Sequence, residues 1–591
     1  MRSSLDAKAR AAGIVLERPQ EEAEPVPEAT KRALAQALGP APPAPEATTR
    51  TAYVPDWLET ARAFGVALQL YQLRSSRNLG IGDLGDLRTL IPAFAGWGVD
   101  FVGLNPMHAL FTADPERASP FSPSDRRFLN PFIVAVNAVP GYAPAMLSGV
   151  PIPSAEEAVD YAAAGAAKLA VLRRVHALWR GRDPAVPQAA REAAARHAAR
   201  GGETLEHFAL FEALSHHMVA EGRGAGWHLW PEAYHDRTSG AVTEFAQAHG
   251  EEIAFHKWLQ FLADEQLRAA QEAALSAGMR IGLYLDLAVG AAPDGAITWA
   301  DPDIVMRGIR VGAPPDLFSA DGQDWGLAPL SPTALASRGF APYRAVLSAV
   351  MDHAGAARVD HAMGLERLWL IPDGMKAPEG AYVTQAGLVE ELVRATHDHR
   401  TLAIGEDLGI VPPGFRERMG ARRIFSMRIL YFEKEAGRMR APARYPTDSL
   451  ACLSTHDIAP LEAWWRGDEI DLRARLGKID AETAAHEHAE RGRDRRALMA
   501  LAGLPPRRGD GPLDDGLVVA IHRIVARTAS RLAVVRLEDV VGGRRLVNLP
   551  GTDREHPNWR HTLPVDVEEI ARSRRLDAVM KAVREERKVV P

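Results

Sequence analysis

Two hydrophobic patterns take turns along the chain. Short apolar runs of strand length alternate with stretches such as residues 341–355 and 387–400, in which apolar positions follow the helical period. This alternation predicts a parallel α/β fold, because each pair of parallel strands needs a crossover. The strand-like runs lie at 66–73, 101–110, 280–290, 356–364, 401–410, 423–432, 451–458 and 531–542. Eight such runs predict a (β/α)₈ barrel, the TIM-barrel fold.

The uneven spacing of the runs predicts insertions into this barrel. The second run ends at residue 110 and the third begins at 280, which is too long a gap for one crossover helix. We therefore expect large, mostly helical insertions after strands 2 and 7, at about residues 111–279 and 460–525. Both would leave from strand C-terminal ends, where a barrel builds its active site.

Residues 1–62 form a predicted N-terminal extension, and residues 63–591 form the predicted barrel domain. Residues 17–50 are rich in Ala, Pro and Glu. That composition provides short helices among linkers and little that could bury a core. We expect residues 1 to about 50 to be peripheral.

Composition and charge exclude several classes of function. The 591 residues carry a net charge of −6, with acidic and basic residues mixed, which argues against nucleic-acid and membrane-surface binding. Cys452 is the sole cysteine, so an intramolecular disulfide and a cysteine-based metal cluster are excluded. His207 and His217 have no carboxylate at ligand spacing, which disfavours zinc. Since no signal peptide or transmembrane run is present, we expect a cytoplasmic protein without metal or cofactor.

The stretch NLGIGDLGDL, residues 78–87, contains the Gly-x-Gly-x-x-Gly pattern of dinucleotide-binding sites. In such a site the first glycine ends the strand directly, and the pyrophosphate rests on the helix N-terminus. Here residues 74–79 intervene after the strand pattern, and the Asp83 carboxylate would repel a pyrophosphate. We therefore interpret the stretch as a strand-to-helix connection.

Acidic residues follow several of the strand-like runs. Asp360, Glu406 and Asp457 come at the ends of the fourth, fifth and seventh runs. The third run carries Asp286, and Asp294 lies just beyond it. Charged side chains at the ends of buried strands are costly unless they are paired or functional. Structural ion pairs around a barrel rim could account for any one of these acids. Three strands that each end in an acid favour a shared site.

Several carboxylates in one site without a metal favour glycoside chemistry, in which one acid is the nucleophile and another the general acid/base. Arg358 stands two residues before Asp360, so on a strand both side chains point to the same face. Its guanidinium would keep the Asp360 carboxylate ionised, as a nucleophile requires. Glu406 must instead be protonated at rest, so we expect burial to raise its pKa.

These acids lie in segments that resemble one family. ARVDHAMGLERLWLIP, AIGEDLGIVPPGFRERM and LSTHDIAPLEAWW resemble the catalytic-strand motifs of the amylomaltases, the 4-α-glucanotransferases or disproportionating enzymes related to the α-amylase superfamily. Further segments resemble the family in its own order: SPFSPSDRRFLNPFIV, GLYLDLAVGAAPDGAITW, GAPPDLFSADGQDWGLAPL and VNLPGTDREHPNW. NLGIGDLGDL resembles the family's loop after the first barrel strand. The resemblance covers about residues 64–591.

The resemblance implies that a segment of an α-1,4-glucan is transferred, with retention, to the 4-hydroxyl of glucose or of another α-1,4-glucan. Asp360 would be the nucleophile and Glu406 the general acid/base. Asp457 would grip sugar hydroxyls and stabilise the oxocarbenium-like transition state. The implied glucan-binding residues are Arg358, His456, Asp294, Gln323, Trp325 and Asn130.

Two positions depart from the family's pattern. Phe121 stands where shorter members usually carry Tyr, and after His361 the chain reads AMG where those members read FRG. Two alternatives also stay open. A retaining α-glucan hydrolase would share every catalytic residue, and the sugars formed from maltotriose separate it from a transferase. A glucan-binding protein without catalysis is disfavoured because all three acids are present.

Overall fold

Eight parallel strands close into a barrel in the order of the sequence, β1 to β8, which confirms the predicted TIM-barrel fold. The computed structural model describes residues 2–18, 24–41, 48–315, 321–435, 438–505, 511–552 and 555–588. The barrel strands are β1 (Ala63–Leu68), β2 (Phe101–Leu104), β3 (Gly282–Leu287), β4 (Ala356–Val359), β5 (Leu402–Gly405), β6 (Phe425–Ile429), β7 (Ser449–Cys452) and β8 (Leu532–Arg536). Every residue of β4, β5, β7 and β8 is buried, which explains why these strands read as apolar runs.

Helices fill the connections between the strands. Those before and within the first half of the barrel are α1 (Arg2–Ala11), α2 (Glu28–Leu38), α3 (Leu84–Trp97), α4 (Tyr161–Arg180), α5 (Gln188–Ala220), α6 (Gly240–Ala248), α7 (Gly250–Ser276), α8 (Ala296–Ala300), α9 (Pro332–Ser337) and α10 (Ala341–Met351). The others are α11 (Leu388–Asp398), α12 (Phe415–Ala421), α13 (Leu461–Arg466), α14 (Asp468–Arg475), α15 (Ala481–Leu501), α16 (Asp515–Arg527), α17 (Leu537–Val541), α18 (Val567–Ile570) and α19 (Arg574–Lys588). Helices α4 to α7 lie between β2 and β3, and α13 to α16 between β7 and β8. In the described ranges, every helix is too short or too polar to cross a membrane.

A second sheet, which the hydrophobic pattern does not predict, lies beside the barrel. Its four strands, in spatial order, are Ala381–Thr384, Arg367–Pro372, Ile309–Ala313 and Gln323–Leu327. All neighbouring strands in it are antiparallel. Three short hairpin pairs complete the strands of the described residues: Glu17–Arg18 with Glu24–Pro25, His108–Ala109 with Asp125–Leu129, and Lys434–Glu435 with Arg438–Met439.

The N-terminal helices bury more apolar surface than their composition indicates. Leu34 of α2 is fully buried, and it shares a small core with Leu370 and Val383 of the second sheet. The backbone joins them as well, because Val15 N donates to Tyr382 O over 2.9 Å. A core that depends on a distant sheet cannot be read from the local composition of residues 17–50. Residues 19–23 and 42–47 of the extension lie outside the described residues.

The glycine-rich stretch forms the connection from β1 to α3. Gly80 adopts a left-handed φ of 87°, and a Cβ on Gly82 would lie 2.0 Å from Leu70 O. Asp83 caps α3, since its Oδ1 accepts from Gly85 N over 2.9 Å. The helix N-terminus is therefore already filled by a carboxylate, where a dinucleotide site would hold a phosphate.

Candidate active site

Three predicted acids lie on the C-terminal side of the barrel. Asp360 follows the last residue of β4, Glu406 follows the last residue of β5, and Asp457 lies in the loop after β7. Parallel pairing of β4 with β5 sets Val359 beside Gly405, so the next residue of each strand leaves the sheet at the same level. The barrel topology therefore places these acids on one face.

A buried arginine joins the acids of β3 and β4. Arg358 and Asp286 are direct partners across the strand pair. Arg358 Nη1 lies 2.8 Å from both carboxylate oxygens of Asp286 and 2.9 Å from Asp360 Oδ1. Burial raises the pKa of Asp286 to about 6, with Arg358 opposing that shift. Burial lowers the pKa of Arg358, but the two carboxylates outweigh it and hold that pKa above its usual value.

Glu406 is held by backbone N–H groups from the segments that follow β4 and β5. Its Oε2 accepts from His361 N over 2.9 Å, and its Oε1 accepts from Leu408 N over 2.6 Å. Burial raises the pKa of Glu406 to about 7; the nearby Asp360 also raises it, while Arg358 and the two backbone donors lower it. His361 itself has a left-handed φ of 45°, which turns the chain sharply after Asp360. The arrangement favours a protonated Glu406 beside an Asp360 that faces a guanidinium.

Asp457 has two polar partners of its own. His456 Nε2 lies 3.2 Å from Asp457 Oδ2, and Asn548 Nδ2 donates to Asp457 Oδ1 over 2.7 Å. Partial desolvation by the surrounding cleft raises the pKa of Asp457, but His456 and Asn548 outweigh that effect and hold the pKa well below its usual range. The side chain remains 42% exposed, so an ionised carboxylate faces the cleft.

Gln323 and Trp325 lie on the edge strand of the second sheet. Trp325 Nε1 donates to Gln323 Oε1 over 3.1 Å. The Trp325 ring meets the His361 ring edge-on, with centroids 5.0 Å apart. The second sheet therefore reaches the segment that carries Asp360. Residues 316–320 of the same predicted family motif lie outside the described residues.

Two further predicted residues are occupied with other partners. Both carboxylate oxygens of Asp294 accept from Arg117 over 2.8 Å. Asn130 Oδ1 accepts from Phe132 N over 3.0 Å and so caps the short turn Pro131–Ile133. In the described part of the chain, neither residue has a hydrogen bond or ion pair with Asp360, Glu406 or Asp457.

The geometry adds neighbours that the sequence reasoning did not assign to the site. Asn548 comes from the segment VNLPGTDREHPNW, well past the end of β8, so no strand pattern points to it.

Asp407, next to Glu406, has a structural role, because its Oδ2 lies 2.6 Å from Arg416 Nε and 3.0 Å from Arg428 Nη1. Cys452 is buried at the end of β7, and burial raises the pKa of its thiol to about 12. Among the described residues, no group of three or more His, Cys, Asp or Glu side chains is placed to hold a metal ion.

Comparisons with known proteins agree on one family. A family model described as 4-alpha-glucanotransferase matches residues 68–566. The chain is 37% identical over 563 residues to the 4-alpha-glucanotransferase of Mycobacterium tuberculosis, covering 90% of this chain and 76% of that protein. It is 35% identical over 540 residues to the enzyme of the same name from Haemophilus influenzae, covering 86% and 76%. The crystal structure of amylomaltase from Corynebacterium glutamicum matches with a TM-score of 0.84 and 26% identity, covering 99% of this chain and 100% of that one.

Proposed function

This chain belongs to the 4-alpha-glucanotransferases of glycoside hydrolase family 77, and we propose that Asp360, Glu406 and Asp457 are its catalytic residues. As a member of this family it acts on α-1,4-glucans and retains the configuration of the transferred sugar. Retention requires two displacements through a covalent intermediate. The observation that carries the assignment is the contrast between Asp360, beside a buried guanidinium, and Glu406, whose pKa burial raises to about 7.

In the first step an Asp360 oxygen attacks the anomeric carbon of the donor glucan. The bond from that carbon to the leaving oxygen breaks, and Glu406 gives its proton to this oxygen. The first product is a shorter glucan, and the donor segment remains as an ester on Asp360. In the second step Glu406 takes the proton of the acceptor 4-hydroxyl, whose oxygen attacks the same carbon and releases Asp360.

Asp457 supports the positive charge that develops on the donor sugar, and His456, its neighbour, lines the same subsite. An ionised Asp457 interacts more strongly with an oxocarbenium-like sugar than with the neutral ground state, which is the condition for catalysis. Arg358 lies 2.9 Å from Asp360 Oδ1 and so orients that carboxylate. We assign Trp325 and Gln323 to glucan contact because an aromatic ring and an amide beside His361 suit the apolar and hydroxyl faces of a sugar. Asp294, at the family's donor-sugar position, and Asn130 are the other proposed glucan-binding residues.

Trapping of the covalent intermediate tests the roles of the two carboxylates. In Glu406→Gln, an α-maltosyl fluoride donor still reacts in the first step, because fluoride leaves with little help from an acid. The ester then accumulates, since the acceptor hydroxyl lacks its base. Intact-protein mass spectrometry should show the added sugar, and peptide mapping should place it on Asp360. The matched variant Asp360→Asn should form no adduct with any donor. A sugar mapped to Asp457 or Asp286 would contradict the assignment of the nucleophile.

A further inference from the structure

Three aromatic rings from distant parts of the sequence meet beside the His456–Asp457 pair. Phe121 stacks on the His456 ring, with centroids 4.7 Å apart and planes inclined by 29°. The Trp559 ring lies 5.4 Å from the His456 ring and 5.3 Å from the Phe121 ring. The His456 imidazole is packed against both rings, and the His456 side chain is only 10% exposed.

The backbone of Trp559 is strained at this position. Its φ is 62°, in the left-handed region that a bulky side chain rarely adopts. Such a backbone is strained and persists only where the surroundings impose it. Here Trp559 N donates to Val547 O over 2.8 Å, and the Tyr161 hydroxyl at the start of α4 donates to Trp559 O over 2.6 Å. Both contacts fix the backbone from which the ring projects toward His456.

The same loop contacts the other member of the pair. Asn548, the neighbour of Val547, donates to Asp457 Oδ1 over 2.7 Å. The hydrogen bond between Trp559 and Val547 therefore ties together the residue that packs on His456 and the residue that binds Asp457. The loop that follows β8 and α17 thus contacts both the His456 ring and the Asp457 carboxylate.

We propose that Trp559 is a positioning residue that holds the His456 ring in the orientation in which Nε2 stays on Asp457, with Tyr161 fixing Trp559 in turn. This inference rests on the proposed role of Asp457. Rotation of the imidazole would break the 3.2 Å contact with Asp457 Oδ2. The Trp559 and Phe121 rings prevent that rotation because they occupy the space into which the imidazole would turn. The strain at Trp559 then has a functional reason, because a relaxed backbone would point the ring elsewhere.

Kinetics of maltotriose disproportionation test the proposal. Trp559→Leu should lower kcat about tenfold while KM changes less than about threefold, because a small misplacement in a site affects the transition state most. Trp559→Phe should restore most of kcat, since a ring remains. The acidic limb of the pH profile should move to higher pH in Trp559→Leu, because Asp457 loses a partner, His456, that favours its charged form.

Trp464→Leu is the matched control. Trp464 is also buried, and it stacks on Tyr431 with centroids 4.1 Å apart. This control should lose stability and keep kcat at temperatures where it is folded.

Two results would overturn the proposal: a folded Trp559→Leu with the kcat and pH profile of the unmodified protein, or equal losses of kcat in Trp559→Leu and Trp464→Leu. If Trp559→Leu does not fold, Tyr161→Phe removes only the hydroxyl that holds Trp559 O, and it should show the same pattern to a smaller degree. An unchanged kcat and pH profile in Tyr161→Phe would then count against the proposal.

The activity of Asp457→Asn is measured in the same assay. Full activity in Asp457→Asn would refute the proposed role of Asp457, whereas an inactive Asp457→Asn with an unaffected Trp559→Leu refutes the positioning role alone.

Discussion

Glu406 and Asp360 lie in the same site but have different hydrogen-bond and ion-pair partners. Among the described residues, Glu406 accepts hydrogen bonds from the backbone N–H groups of His361 and Leu408, while Asp360 faces the Arg358 guanidinium. Burial raises the pKa of Glu406, and the nearby Asp360 raises it further because two carboxylates in one site disfavour each other's charge. The proposed division of labour between a nucleophile and an acid therefore rests on the contact of Asp360 with Arg358 and on the raised pKa of Glu406.

The pH dependence of the first step should follow from Glu406. Its pKa is raised to about 7, so the fraction that can donate a proton falls as the pH rises through that value. We expect the alkaline limb of kcat/KM for maltotriose to lie near pH 7. Measured as the rate of adduct formation with α-maltosyl fluoride, Glu406→Gln should have no such limb. An alkaline limb near pH 7 in that variant would assign the limb to another group.

How far the sequence predicts the site depends on where each residue lies relative to a barrel strand. Arg358 and Asp360 were predicted to share a face because strand geometry fixes a two-residue spacing, and the structure places both against the same cluster. The contact of Asn548 with Asp457 was not predicted, because no local period relates a residue in a loop after β8 to a loop after β7. Strand periodicity predicts positions along one element, while contacts between loops depend on the closed barrel.

At the scale of elements, the same reasoning explains why the barrel was predicted and the second sheet was not. The barrel strands are buried on both faces and read as apolar runs. The edge strand Gln323–Leu327 has only one fully buried residue, so its sequence carries no strand signal. The N-terminal helices α1 and α2 cover this sheet, and their small core includes Leu370 and Val383 and contacts Trp325. The extension is therefore joined to the sheet that carries Trp325.

Loss of packing in this small core should affect glucan binding. Leu34→Ala leaves a cavity against Leu370 and Val383 and should lower the free energy of unfolding by about 2–5 kcal/mol if the sheet unfolds with the barrel. Because Trp325 packs against this core, KM for maltotriose should rise while kcat changes little. Leu275→Ala is the control, since Leu275 is 46% exposed on α7. Chemical denaturation and steady-state kinetics measure both effects, and equal KM values in the two variants would contradict the link to Trp325.

At the scale of the whole molecule, α4 connects three parts of the chain. Its first residue, Tyr161, holds Trp559 of the loop after β8. Lys168, in the middle of α4, is fully buried. Its Nζ lies 3.3 Å from Oδ2 of Asp83, the residue that caps α3, and donates to Phe132 O over 2.7 Å. Burial lowers the pKa of Lys168, which Asp83 opposes. The segment between β2 and β3 is thereby attached both to the first crossover and to the end of the barrel that carries the candidate site.

Removal of the buried cation should therefore destabilise the molecule as a whole. Lys168→Met keeps the length of the side chain but leaves Phe132 O and part of the Asp83 carboxylate without a donor in a buried place. Breaking a buried ion pair from one side costs about 3–5 kcal/mol, and we expect a loss of that size in the free energy of unfolding, measured by urea denaturation. Lys257→Met is the matched control, because Lys257 is 27% exposed and pairs with Glu206 over 2.7 Å. An ion pair with that access to solvent is worth less than about 1 kcal/mol. Similar small losses in both variants would show that the contacts of Lys168 do not join the insertion to the barrel.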